Sequence, residues 1–151
     1  MHRSRGYIAL ALLLLLAGIS AKLLAQDQKM PSQEERAKAV NVVRLINTAE
    51  AWYNTGTKTK TDAIEAHGRY ASWDELNSSG ALKTVQGSWS MVKDLQVSTS
   101  SEVLPGYRLD LLVSLDGKSY SLALHDTKNG DGLFSVFSDQ KGIIFLGSPL
   151  Q

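Results

Sequence analysis

A chain of 151 residues holds one ordinary domain, and its 16 basic and 15 acidic residues nearly cancel. Three of the basic ones, Arg3, Arg5 and Lys22, precede every acidic residue, so the body beyond residue 25 carries 13 basic against 15 acidic residues, a net of −2; without a Lys/Arg cluster it lacks the electrostatic footprint of a nucleic-acid binder. The absence of cysteine excludes a disulfide framework, a thiolate zinc site, a Cys nucleophile and a lipid-modified N-terminal Cys.

The first 25 residues read as an export or anchoring segment. His2, Arg3 and Arg5 form a short basic region ahead of an almost unbroken apolar run, Tyr7 to Ile19, which is the charge and length pattern of a secretory signal. Leu23-Leu24-Ala25 places a small residue before Gln26, giving a cleavage point after Ala25, and Ile19-Ser20-Ala21 offers a second. Left uncut, Tyr7 to Ala25 supplies 19 residues, which at about 1.5 Å each come close to the roughly 30 Å of a bilayer's hydrocarbon core. Lys22 would then sit near the far interface. A third reading places a cut after Gly6, directly before aromatic Tyr7.

Behind this segment the body, residues 26–151, reads as a single α+β domain. Ser32 with Glu35 three residues on forms a capping box, and Pro31 precedes it. From there to about Asn54 the apolar residues Ala39, Val42, Val43, Ile46, Ala49 and Tyr53 fall on one helical stripe, widened by Leu45 and Trp52. Such a stripe requires a sheet to cover it. Asn54 to Lys60 is a polar, turn-rich exit, and the stretch through Gly68 is loop or irregular helix. A second capping box, Ser72 with Glu75, opens a short helix from Ser72 to Ser79 that Gly80 can stop.

Beyond Gly87 the period changes to two. Tyr107, Leu109, Leu111 and Val113 alternate with Arg108, Asp110, Leu112 and Ser114 before an Asp116-Gly117 hairpin turn, and Lys118 to His125 returns. After Asn129 to Gly132, Leu133 to Ser138 and Ile143 to Leu146 form a second hairpin around Asp139 to Gly142. The expected architecture is a long helix packed on a C-terminal antiparallel sheet of about four strands.

Chemical motifs are sparse. His67 and His125 have no i, i+4 ligand partner, so each reads as a surface or turn residue. Asp126, Asn129 and Asp131 offer oxygens to calcium, but Lys128 breaks the loop pattern and a hairpin turn accounts for them. Glu34, Glu35, Glu50, Asp62 and Glu65 scatter over helix faces and a loop expected to be solvated rather than pairing as acid and base. No catalytic residue, cofactor, metal or small-molecule substrate is indicated. Trp52, Tyr53 and Trp73 read as core, whereas Trp89, in the Gly87 to Ser90 loop, is the candidate for an exposed partner contact.

Three stretches carry a family resemblance. Arg44-Leu45-Ile46-Asn47-Thr48-Ala49-Glu50-Ala51-Trp52-Tyr53 is similar to the end of the long helix of bacterial pilin-like proteins. Arg69-Tyr70-Ala71-Ser72-Trp73-Asp74-Glu75-Leu76 with Gly80-Ala81-Leu82 is similar to their following short segment. Gly132-Leu133-Phe134-Ser135-Val136-Phe137-Ser138-Asp139-Gln140-Lys141-Gly142-Ile143-Ile144 is similar to their closing hairpin. The chain therefore resembles type IV pilins and the pseudopilins of type II secretion, and under that resemblance Gly6 stands at a prepilin leader's cleavage point. Two departures bear on assembly: Ala11 stands where pilins usually carry Glu, and Pro31 separates the apolar run from the body helix.

The resemblance implies a non-enzymatic, exported envelope protein acting through protein contacts as a minor pilin, pseudopilin or soluble relative. It would be periplasmic or secreted, or anchored in the inner membrane if the N-terminal segment is retained. A small periplasmic ligand-binding protein or hydrolase, with a site assembled from distant residues, is the alternative; a deep pocket holding convergent carboxylates or His125 would favour it. An inhibitor or adaptor would show an exposed sheet edge or an apolar patch around Trp89.

Overall fold

The computed structural model of the chain describes residues 30–58, 63–90, 92–93, 95–128 and 133–148. The N-terminal segment with Gly6 and Ala25 lies outside these residues, as do Asp62, Asn129 and Asp131. The described chain is α+β: a helix, two short helices, a two-stranded sheet and a five-stranded antiparallel sheet. Among the described residues no helix is long and apolar enough to cross a membrane.

Helix α1 spans Gln33–Thr55 and starts where its capping box predicts. The Ser32 hydroxyl accepts from the Glu35 amide at 3.2 Å while the Glu35 carboxylate accepts from the Ser32 amide at 2.9 Å, so two donors that a helix start would leave orphaned are satisfied reciprocally. The helix ends at Gly56, whose amide donates to the Trp52 carbonyl. Gly56 has φ +72°, and a Cβ there would stand 2.9 Å from the Ala66 backbone nitrogen. Left-handed backbone and close approach both demand glycine at that point.

The chain then forms β1 (Thr57–Lys58) and β2 (Ala63–Ile64), an antiparallel pair where the pattern suggested loop or irregular helix. Two residues per strand are too few for periodicity to register. Helix α2 (Trp73–Ser78) repeats the capping box through Ser72 and Glu75. Gly80, φ +78°, ends it as expected, but a further helix, α3 (Ala81–Ser88), begins at once. Its buried residues, Ala81, Leu82 and Val85, have i, i+1, i+4 spacing, and they place α3 against α1.

The sheet has five strands, not four, in the order β3 (Glu102–Leu104), β4 (Tyr107–Val113), β5 (Tyr120–Asp126), β6 (Ser135–Asp139), β7 (Phe145–Gly147), all antiparallel. The extra strand, β3, is three residues long with an irregular register against β4, so no run of alternation announces it. The other strands follow the predicted hairpins with ends shifted by one or two residues. The Asp116-Gly117 turn closes with the Gly117 amide on the Ser114 carbonyl at 2.8 Å, and the second turn closes with Gly142 on Asp139 at 2.8 Å.

Register sorts the two sheet faces. Tyr107, Leu109, Tyr120, Leu122, Leu124 and Val136 are buried on the face toward α1, where they join Ala39, Val42, Val43, Ile46, Ala49 and Tyr53 in one core. Helix α1 is covered on two sides, by β5 and β6 and by α3, which is why Leu45 is wholly buried as well. Burying each such Leu, Ile or Val side chain contributes about 1.5–3 kcal/mol. We expect Ile46→Ala, which opens a cavity under the middle of α1, to cost about 2–5 kcal/mol in urea denaturation. Leu112→Ala, at a site 69% exposed, should stay within about 0.5 kcal/mol of the parent.

Candidate functional site

Trp89 terminates α3 and is half-buried rather than carried on an open loop. The α3 helix that sequence periodicity did not reveal draws its ring inward, where it packs against the core beside Trp52. What Trp89 offers is one wall of a groove. A depression of about 290 Å³ is lined by Thr48, Trp52, Val85, Ser88 and Trp89. It adjoins one of about 530 Å³ bounded by Arg44, Asn47, Thr48, Ala51, Trp89, Gly142 and Ile144. Arg44 in turn borders a third, of about 440 Å³, running past Ala37 and Val40 to Leu146. Thr48, Trp89 and Arg44 are shared walls, so the three form one open track along the uncovered flank of α1.

The track is firmly floored. Asn47 accepts from the Tyr120 hydroxyl at 2.9 Å and donates to the Ser138 hydroxyl at 2.7 Å, which in turn donates to the Ile143 carbonyl at 2.9 Å. Its hydroxyls are already engaged: Thr48 donates to the Arg44 carbonyl at 2.9 Å and Ser88 to the Thr84 carbonyl at 2.8 Å. Two indole faces beside aliphatic and amide groups suit an inserted apolar or aromatic side chain. Among the described residues neither hydroxyl has a base hydrogen-bonded to it to make it a nucleophile.

Glu50 departs most from expectation. Read as part of a solvated face, it is wholly buried. It stands four residues after Ile46 and three before Tyr53, squarely on the apolar stripe; that spacing was the available signal. One carboxylate oxygen accepts from the Ala71 amide at 2.9 Å, and the other has no partner among the described residues. Burial pushes its pKa up from 4.5 to about 7, against the pull of the Ala71 amide; the Glu75 charge adds to the rise and Arg69 opposes it. Arg69 itself forms a two-pronged pair with Glu75 and lies over the Tyr53 ring, whose other neighbour is the stacked His67 at 4.0 Å. The Arg69 guanidinium, with the Ser72 amide, holds the Glu75 carboxyl down at about 2.

Glu34, Glu35 and Glu65, the other described acids of that set, follow their predicted surface roles. Glu34 pairs with Lys38 at 2.7 Å, Glu35 caps α1 and reaches Lys128 at 3.5 Å, and Glu65 is exposed. His67 is exposed beyond β2, but His125 is a strand residue, not a turn residue. On the sheet face away from α1, its Nδ1 is 2.9 Å from the Ser135 hydroxyl and its Nε2 is 3.3 Å from Asp110. His125 borders none of the three depressions above. Ser135 is 6% exposed on a strand flanked on both sides, so the nearby amides belong to the ladder rather than converging on an oxyanion. Asp126 is buried and accepts from the Lys128 amide at 3.0 Å, a turn role. Among the described residues no group of three or more His, Cys, Asp or Glu is placed to hold a metal ion.

The class so defined is a helix-on-sheet α+β domain with an aromatic-walled track beside its main helix. No family model, curated protein or solved structure matches the chain.

Glu50 gives the domain a pH response of definite sign. Below 4.5 the carboxyl is protonated whether the chain is folded or not. Between 4.5 and about 7 the unfolded chain ionises while the folded one keeps its proton, so stability falls as pH rises, by a total on the order of a few kcal/mol. Glu50→Gln should match the parent near pH 4 and exceed it near pH 8 when both are unfolded in urea.

Proposed function

We propose that this chain is a non-enzymatic, exported protein of the bacterial envelope with a pilin-like body, working through protein contacts as a minor pilin, a pseudopilin or a soluble relative. The observation that carries the reading is the track between Trp52, Trp89 and the flank of α1, an open surface whose lining suits an apolar or aromatic side chain. A long capped helix laid over an antiparallel sheet with a closing hairpin supports the pilin-like assignment. The apolar run from Tyr7 to Ile19 behind a basic leader supports export, with the mature body in the periplasm, beyond the cell, or tethered at the inner membrane.

A photo-crosslinking residue placed at Trp89 in the full chain, in cells, should give discrete adducts with an envelope protein, while the same residue at Leu115, which is fully exposed, gives none. Trp89→Ala should lower the yield of that complex by about tenfold or more, the effect of losing an aromatic anchor. Equal, diffuse labelling from both positions would sink the reading. Sequencing the mature N-terminus places the protein within it. A start at Tyr7 or the initiator Met in the membrane fraction marks a tethered subunit, and a start at Gln26 in a soluble fraction marks a free relative that cannot enter a filament through its N-terminal helix.

The rival, a small hydrolase, draws on the line of Ser135, His125 and Asp110. A fluorophosphonate probe should leave the parent chain unlabelled, since the serine is shielded and no oxyanion site faces it. Labelling abolished by Ser135→Ala would establish the rival instead.

A further inference from the structure

Among the described residues strand β7 ends the sheet, so one row of its backbone donors and acceptors points away from β6 without a described strand to receive it. Both of its faces are apolar. Leu146 stands across from buried Val136 on the side of α1, and Phe145 stands across from Phe137 on the opposite side. Phe145 is 57% exposed, Leu146 61% and the preceding Ile143 53%. From Gly142 to Gln151 the chain carries no charged side chain. The other edge of the same sheet is built differently: β3 bears exposed Glu102 and is followed at once by Pro105, two devices that discourage strand addition.

We infer that β7 is a self-pairing edge, along which two copies of this chain join antiparallel into a closed, twofold dimer. Three features select a second copy as the occupant. An uncharged strand meeting its own mate opposes no like charges. A symmetric antiparallel neighbour brings Phe145 and Leu146 to both faces at once, covering the apolar side chains above and below the sheet, which a strand with one polar face would not do. The guarded β3 edge prevents head-to-tail addition of β3 to β7, so association stops at two instead of growing into a fibre. Two cations, Arg36 and Arg44, border Leu146 from the helix layer, so salt that screens them should strengthen the pairing. A ladder of three residues belongs with small, transient interfaces, below roughly 1,000 Å², and covalent trapping is therefore the suitable readout.

The chain has no cysteine, which makes that readout clean. Phe145→Cys, Leu146→Cys and Ser148→Cys are introduced singly in the full-length protein and oxidised mildly in its own envelope fraction. At least one should give a disulfide-linked species of twice the chain mass, increased by salt, while Glu102→Cys on the guarded edge gives none. Adding Phe145→Lys to the Leu146→Cys chain should cut the crosslink at least tenfold with the circular dichroism spectrum unchanged. Trp89→Ala should leave it intact, which separates this dimer from the groove contact. The inference is overturned if no β7 cysteine crosslinks in a folded chain, if Glu102→Cys crosslinks equally, or if the adduct is not twice the chain mass.

Discussion

The apolar surface of α1 is the constraint on which the rest of the domain depends. A helix of 23 residues with Val42, Val43, Leu45, Ile46 and Ala49 all wholly buried presents more than a narrow stripe, and a single covering layer would leave part of it wet. The sheet takes one side and α3 the other. Among the described residues that division leaves the flank between α3 and the β6–β7 hairpin uncovered, so the aromatic-walled track is a by-product of how the core is closed. The contact proposed above would use a strip of the main helix that folding leaves open.

The capping carboxylates hold more than their helices. Glu35 closes the start of α1 and also reaches Lys128 beyond β5; Glu75 closes α2 and also grips Arg69, which covers Tyr53 at the far end of α1. The first helix start is thereby stitched to a distant loop, and the second to the end of α1. Beneath the second stitch lies Glu50, whose half-satisfied carboxyl is tolerated because it can remain protonated. A buried acid beside a deeply ionised one shows how far two carboxylates of one small domain can be driven apart by surroundings alone.

Much of this was legible in the residues. The two Ser-x-x-Glu boxes locate both helix starts, the alternation from Tyr107 to Val113 and the Asp116-Gly117 turn locate the central hairpin, and the stripe on α1 names most of the core. Elements of two or three residues, β1, β2 and β3, carry too little pattern to be read and owe their existence to pairing within the tertiary structure. Helix α3 was obscured because Gly80 reads as a stop and Gly87 as a break, and the first is true only of α2. Glu50 was misjudged because its charge was weighed ahead of its position. Trp89, read as an exposed loop residue, is half-buried instead, a setting that follows from α3. The line of Ser135, His125 and Asp110 joins three strands and has no sequence spacing to betray it.

The three tryptophans of this chain are unevenly employed. All three are half-buried, but Trp73 is fixed by its indole N–H on the Thr99 carbonyl at 2.8 Å, whereas Trp52 and Trp89 line one groove. Anything that fills the groove must displace water from those two rings and from no third. The domain thus carries a built-in optical gauge of occupancy: its intrinsic fluorescence should move to shorter wavelength as the track is covered, without any label attached.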